Sequence, residues 1–207
     1  MIASMGIRAG RPAHRPSRRS EIIDACMLLM ASRQPDEVTV ADIAATADMT
    51  SAAIYYHFPS KDEILREGME IFVTAFTDHV TSTLDQSRSS GEPVGEVVSK
   101  LVLWMDNWRP VATVYFATSS AQYSTIEVMR RRARALLVSK FRSYLCDVHP
   151  HVASADAAVM AVGLLSLLET SSTSWLRQDA DWMNLGPRRF LGVVTEVSET
   201  LVRASSR

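Results

Sequence analysis

The chain has 207 residues, 47% hydrophobic and 22% charged, and its 22 Lys and Arg nearly balance 23 Asp and Glu for a formal net charge of -1. That is the profile of an ordinary globular protein with room for two small domains, and it excludes a uniformly basic nucleic-acid binder. No repeat or low-complexity tract is visible, no apolar run approaches the roughly 20 residues of a membrane helix, and the first residues lack the apolar core of a signal peptide. Cys26 and Cys146 both fall on apolar helical stripes, so free buried thiols in a reducing cytoplasm are expected rather than a disulfide.

Residues 1–19 carry Arg8, Arg11, Arg15, Arg18 and Arg19 and no acid. Gly6, Gly10, Pro12 and Pro16 argue against regular structure there, and residues 1–16 read as a basic flexible arm. Two roles are open for it: a solvated tail, or a strand of cations laid along phosphates. A first helix is expected over 18–33, with Ile22, Cys26, Leu29 and Met30 as its stripe, widened by Ile23 and Met27. Glu21 and Asp24 should face away from the basic side or hold basic neighbours.

The stretch 39–61 carries the densest local signals. Thr39 with Asp42 has capping-box spacing, and Val40, Ile43, Ala44 and Ala47 form one apolar face. Asp48-Met49 breaks the pattern and Thr50 restarts it as a second N-cap, with Ala53, Ile54 and Phe58 on the buried side. Pro59 ends this second helix by pushing Phe58 out of helical geometry. Ser60 with Glu63 reads as a capping box for the next helix. Two short helices joined by a tight turn make a helix-turn-helix, expected over 39–58, whose second helix can enter a DNA major groove. That helix shows Thr50, Ser51, Ala52, Tyr55, Tyr56 and His57 to solvent and holds no acid, as phosphate neighbours require. Lys61 follows one turn later.

The run Ala47-Asp48-Met49-Thr50-Ser51-Ala52-Ala53-Ile54-Tyr55-Tyr56-His57-Phe58 followed by Ser60-Lys61-Asp62-Glu63 resembles the signature of the TetR family of transcriptional regulators. The likeness reaches back through Ile22-Ile23-Asp24-Ala25-Cys26 and covers about the first third of the chain. The chain departs from the family at Asp48 and Gln34, where glycine is usual. Asp tolerates the left-handed conformation, so the turn at Asp48 should survive, and Pro35 can end the first helix in place of a glycine. The resemblance implies that Thr39, Tyr55 and Lys61 meet phosphates. It places Thr50, Ser51 and Ala52 against base edges or phosphates, with Tyr56 and His57 flanking on the same side. Without Arg, Asn or Gln between Thr50 and His57, bidentate base contacts are unavailable and readout should be modest.

A fourth helix should begin at Ser60 and run into the eighties through Ile64, Leu65, Phe72, Phe76 and Leu84, with a Ser, Gly and Pro-rich loop over 86–95. Further helices are expected over 97–108, ended before Pro110, and over 111–123, 125–148, 154–178 and 186–203. The architecture expected is therefore all-α with about nine helices: a three-helix helix-turn-helix domain over 17–64, then a helical domain for ligand binding and dimerisation over 65–207. Arg130, Arg131, Arg132 and Arg134 read as a solvated helix face.

Phe72, Phe76, Trp104, Met105 and Trp108 are candidate pocket residues for an apolar ligand, as are Tyr115, Phe116, Tyr123 and Met129. Any one of them can equally be plain core. Glu169 is the one charge of the apolar 154–178 helix that looks buried, and it would orient such a ligand or sit in a dimer seam. Met160, Leu164, Leu168 and Trp175, with Phe190, Val194, Val197 and Leu201 of the last helix, leave more apolar surface than a short chain can cover. Pairing those two helices with a second copy would cover it, and the family resemblance implies the same homodimer.

The function expected is a cytoplasmic, ligand-responsive repressor that binds a palindromic double-stranded operator as a homodimer and is released by a small hydrophobic effector, with no cofactor and no membrane partner. An activator of the same fold is the alternative, and a helical small-molecule enzyme is the distant one. No HExxH, CxxC, GxSxG or phosphate-cradling glycine loop is present, and His14, His57, His79, His149 and His151 are scattered. His149-Pro150-His151 lacks a third ligand nearby, so no metal site is expected.

Overall fold

The computed structural model describes residues 17–33, 35–117, 124–178 and 184–203, and every regular element among them is helical. The arm over 1–16, Gln34 and Tyr123 lie outside the described residues. The helices are α1 (Arg18–Ser32), α2 (Val40–Thr46), α3 (Ser51–His57), α4 (Lys61–Ser90), α5 (Val94–Trp104), α6 (Arg109–Ala117), α7 (Ser124–Val148), α8 (Ser154–Arg177) and α9 (Pro187–Arg203). By its contacts the chain forms two units, residues 1–73 with 107–126 and residues 74–106 with 127–207.

The first unit holds α1, α2, α3, the start of α4, and α6, which packs on α1. Ser17 caps α1, its Oγ accepting from the Ser20 amide at 3.2 Å. The stripe read from the sequence is the core here: Ile22, Ile23, Cys26, Met27 and Met30 are buried, as are Val38, Ile43, Ile54, Phe58 and Ile64. Close to α1, Gly68 of α4 leaves no space, since a Cβ there would lie 2.8 Å from Cε of Met27 and 3.0 Å from Ile23.

The second unit holds the rest of α4 with α5, α7, α8 and α9. Val97, Val98, Leu101, Leu137, Phe141, Leu164, Leu165 and Leu168 are buried in it. Ser87 and Tyr144 share a buried hydrogen bond of 2.7 Å that joins α4 to α7. A close seam lies between α5 and α9. There the Gly95 amide donates to Glu199 Oε1 at 2.7 Å, and the hydroxyls of Ser99 and Thr195 meet at 2.8 Å.

Several boundaries differ from the expected ones. The loop expected over 86–95 is mostly helix: α4 continues to Ser90 and stops at Gly91, which adopts φ +70. Local turn chemistry was outweighed because the serine hydroxyls find partners with the segment helical: Ser89 Oγ donates to the Asp85 carbonyl at 3.1 Å, and Ser87 is held by Tyr144 of α7. The helix expected over 97–108 ends as α5 at Trp104 and tightens into a 3-10 turn, Met105–Trp108. Pro110 then sits in the first turn of α6 rather than beyond a helix end, a place where its missing amide forfeits no bond. The capping box at Ser60 is half made: Ser60 Oγ accepts from the Glu63 amide at 3.2 Å, while the Glu63 carboxylate is bound by Arg66. By length and composition α8 passes as a membrane-crossing segment, contrary to the sequence reading, but half of that window is buried inside the chain, as in a core helix.

Candidate nucleic-acid interface

The helix-turn-helix is held by short-range bonds that the sequence anticipates. At α2 the capping box closes fully: Thr39 Oγ accepts from the Asp42 amide at 3.2 Å, and the Thr39 amide donates to Asp42 Oδ2 at 2.9 Å. The Thr39 hydroxyl also donates to Asp42 Oδ2 at 2.6 Å, and that bond first, then the one from the Thr39 amide, holds the Asp42 carboxyl below the usual carboxylate range. The far end of α2 closes as a Schellman turn, with the Met49 amide on the Ala44 carbonyl at 2.9 Å and the Asp48 amide on that of Ala45 at 3.4 Å. Asp48 stands at φ 54, the left-handed conformation where the family resemblance puts glycine. Thr50 Oγ then caps α3, accepting from the Ala53 amide at 3.2 Å. Phe58 ends it in extended geometry, φ -139 and ψ 127, ahead of Pro59.

Helix α3 is seven residues long and only Ile54 within it is buried. Its other side is the expected face. Thr50, Ser51 and Ala52 are exposed, Tyr55 is 56% exposed and Tyr56 86%, and the helix holds no carboxylate. His57 is half-buried and meets the Tyr56 ring edge-on at 5.2 Å. Two large aromatic rings standing mostly in water on a short helix are exposed apolar surface.

Lys61, expected at a phosphate, also makes a bond within the chain. It is half-buried, and its Nζ donates to the Val38 carbonyl at 2.8 Å, tying the start of α4 to the segment before α2. Nearby, burial pushes the Cys26 thiol up to about 12, with the Lys61 charge acting the other way. Cys146 is half-exposed, so only one of the two expected buried thiols is buried.

Arg18 and Arg19, read with the basic arm, belong to the first turn of α1. Arg18 pairs with Glu21 at 3.1 Å. Arg19 is turned onto the helix-turn-helix: its guanidinium carbon lies 3.9 Å from the centre of the Phe58 ring, Nη1 donates to the His57 carbonyl, and Nε donates to Glu67 Oε1 at 3.3 Å. Sequence reasoning missed Arg19 and Glu67, and no local signal joins residues so far apart in the chain.

The candidate pocket residues separate into two groups. In the first unit Phe72 packs against Trp108, Tyr115 and Phe116, with ring centres 6.0, 5.3 and 6.3 Å apart. Phe72, Trp108 and Tyr115 are buried, as core residues are. In the second unit Phe76 stacks on Trp104 at 6.1 Å, and the half-buried His79 stacks on Trp104 at 4.8 Å. Burial lowers the His79 pKa. Met105 is buried and Met129 half-buried. Glu169 is not the buried charge it looked to be; its side chain is 35% exposed and pairs with Arg134, which also reaches Ser166 Oγ at 3.0 Å. Ser172 Oγ is buried and has no hydrogen-bond partner among the described residues.

The candidate dimer residues divide by their burial within one chain. Met160, Leu164, Leu168, Phe190 and Val194 are already buried within one chain, because α5 and α9 cover that side of α8. Trp175 is also engaged, its Nε1 donating to Asp106 Oδ1 at 3.1 Å and its ring 5.6 Å from Phe190. Val197 remains 41% exposed and Leu201 half-exposed. Beside them an unforeseen exposed strip runs along α8: Val159 at 74%, Val162 at 44%, and the half-exposed Gly163 and Ser166.

Comparison with known proteins matches residues 22–67 to the family described as bacterial regulatory proteins, tetR family. The chain is 31% identical over 147 residues to the HTH-type transcriptional repressor KstR2 of Mycolicibacterium smegmatis, covering 66% of this chain and 69% of that one. It is 28% identical over 151 residues to the KstR2 of Rhodococcus jostii, covering 71% of this chain and 65%, just under two thirds, of that one. Among solved structures, the transcriptional regulator FadR from Bacillus subtilis in complex with stearoyl-CoA shares the fold at a TM-score of 0.67 and 16% identity, over 88% of this chain and 97% of that one.

Proposed function

This chain belongs to the TetR family of bacterial transcriptional regulators, and on that premise we propose that it is a cytoplasmic repressor that binds a palindromic DNA operator as a homodimer and is released by a small hydrophobic effector. The observation that carries the DNA reading is the exposed, acid-free side of α3, where Tyr55 and Tyr56 stand in solvent beside the Thr50 cap. Tyr55 bonds the phosphate backbone through its phenol, and Thr50, Ser51 and Ala52 lie against base edges and phosphates, with Tyr56 and His57 flanking them. Thr39 adds a phosphate contact at the first cap. Contacts of this kind position a protein more than they read sequence. Lys61, tied to the Val38 carbonyl, holds the start of α4 beside this face.

The uncharged strip of Val159, Val162 and Gly163 on α8, with Val197 and Leu201 on α9, supports pairing with a second copy. A two-fold dimer presents two α3 helices a turn of DNA apart, or a multiple of it, and so calls for a palindrome. A hydrophobic effector is supported by the aromatic residues of the second unit, Phe76 and Trp104, and by the stearoyl-CoA held by the FadR of the same fold. The effector acts by binding more tightly to an arrangement in which the paired α3 helices no longer match the half-sites.

The test is selection of bound sequences from random duplex DNA with purified protein. Enrichment of an inverted repeat supports the proposal, and Tyr55→Phe should then weaken binding without changing the melting temperature. No enrichment, or enrichment of an unpaired half-site, overturns it. The effector arm is a thermal-shift screen of acyl thioesters, stearoyl-CoA included; a hit that stabilises the protein yet leaves operator affinity unchanged refutes release by that class.

A further inference from the structure

We infer that Arg19 is a positioning residue of the DNA interface: together with Glu67 it locks the C-terminal end of α3 and thereby sets the angle at which Thr50, Ser51 and Tyr55 meet the duplex. The inference rests on the DNA-binding reading above and concerns how that face is held.

Seven residues are too few for a helix to stand alone in water, so α3 depends on tertiary ties for its orientation. Within α3 only Ile54 is buried, and Phe58 follows just past its end. The N-terminal end is fixed by the Schellman turn and the Thr50 cap. The C-terminal end carries carbonyls with no donor inside the helix, and His57 supplies one of them. Arg19 Nη1 donates to that carbonyl, which also brings a positive charge to the negative end of the helix. The Arg19 guanidinium lies on the face of Phe58, 3.9 Å from the ring centre. Its remaining edge forks onto Glu67 of α4, through Nε at 3.3 Å and through Nη2. A planar group with both edges and one face engaged has a single orientation, and it transmits the orientation of α4 to α3. A lysine, a point charge on a flexible stem, cannot make all three ties. The adjacent Arg18 pairs with Glu21 of its own helix turn, and among the described residues it sets no such angle.

The experiment measures operator affinity by fluorescence anisotropy over a series of salt concentrations, using the duplex selected by the wild-type protein. Arg19→Ala and Glu67→Gln are each expected to weaken binding about tenfold, the worth of one charge-assisted hydrogen bond. Positioning leaves the slope of log affinity against log salt unchanged. Arg19→Lys should recover only part of the loss. If Arg19 instead met a phosphate directly, Arg19→Ala would lower the slope by about one, and Glu67→Gln would tighten binding by removing a negative charge. That pattern overturns the inference, and so does wild-type affinity in both variants. Melting curves are recorded alongside, and binding is measured well below the transition, so a purely stabilising role shows as a lower Tm with unchanged affinity and also overturns it. Should Arg19→Ala not fold, Glu67→Gln keeps the cation and carries the test. If the wild-type protein selects no duplex, the failure lies in the DNA-binding reading itself.

Discussion

Gly95→Ala tests a close approach between α5 and α9 in the second unit. A Cβ on Gly95 would lie 2.5 Å from the Thr195 carbonyl oxygen, 2.9 Å from its Cγ2 and 3.0 Å from its carbonyl carbon. Two of these are backbone atoms, so relief requires α9 to move rather than a side chain to rotate. Overpacking of this kind costs about 1–3 kcal/mol. Movement also stretches the bond from the Gly95 amide to Glu199, at 2.7 Å, and the Ser99–Thr195 pair at 2.8 Å, each worth about 1 kcal/mol or somewhat more. Against this stands the better helix propensity of alanine, at most about 1 kcal/mol. The net expectation is a loss of about 1–3 kcal/mol, or a Tm fall of roughly 2–12 °C for a chain of this size. Thermal melting at fixed protein concentration measures it. The control is Gly192→Ala in α9, where a Cβ meets nothing within 4 Å, so propensity alone should raise Tm. A Gly95→Ala protein that melts at or above wild type refutes the close-approach reasoning. A fall in Gly192→Ala would instead mark that face as covered by a second copy.

Asp48→Gly should stabilise the head by a few tenths of a kcal/mol to about 1, since glycine adopts φ 54 without strain, while Asp48→Ala should cost about 1 kcal/mol; equal Tm values for the two would refute the strain reasoning. His79 has its pKa lowered by burial, so the fold favours the neutral ring. Its contribution is complete above the unfolded pKa of about 6.5 and is lost as pH falls from there through the depressed folded value. Tm should therefore drop between pH 7 and 5 and flatten in His79→Phe, which keeps a ring to stack on Trp104; an unchanged slope would count against it. Ser172→Ala removes a buried hydroxyl without a partner among the described residues and should raise Tm by about 2–4 °C, corresponding to about 1 kcal/mol; a fall in Tm would mean the hydroxyl is bonded in solution.

What the sequence determined by itself was local and spanned a turn or two of chain. The box at Thr39 and Asp42, the left-handed Asp48, the cap at Thr50 and the stop before Pro59 are interactions between residues a few positions apart. Their partners are written side by side, so the helix-turn-helix and its exposed tyrosines were legible. Helical periodicity likewise located α7, α8 and α9 to within a residue or two. Periodicity marks which face of a helix is apolar but not what covers it. Only tertiary packing decided that Leu164, Leu168 and Phe190 lie inside one chain and that Val159 and Val162 do not. It alone placed α6 on α1, turned Lys61 to Val38, and brought Arg19 to Glu67 across 48 positions. Such contacts depend on where distant helices happen to meet, which no window of neighbouring residues records.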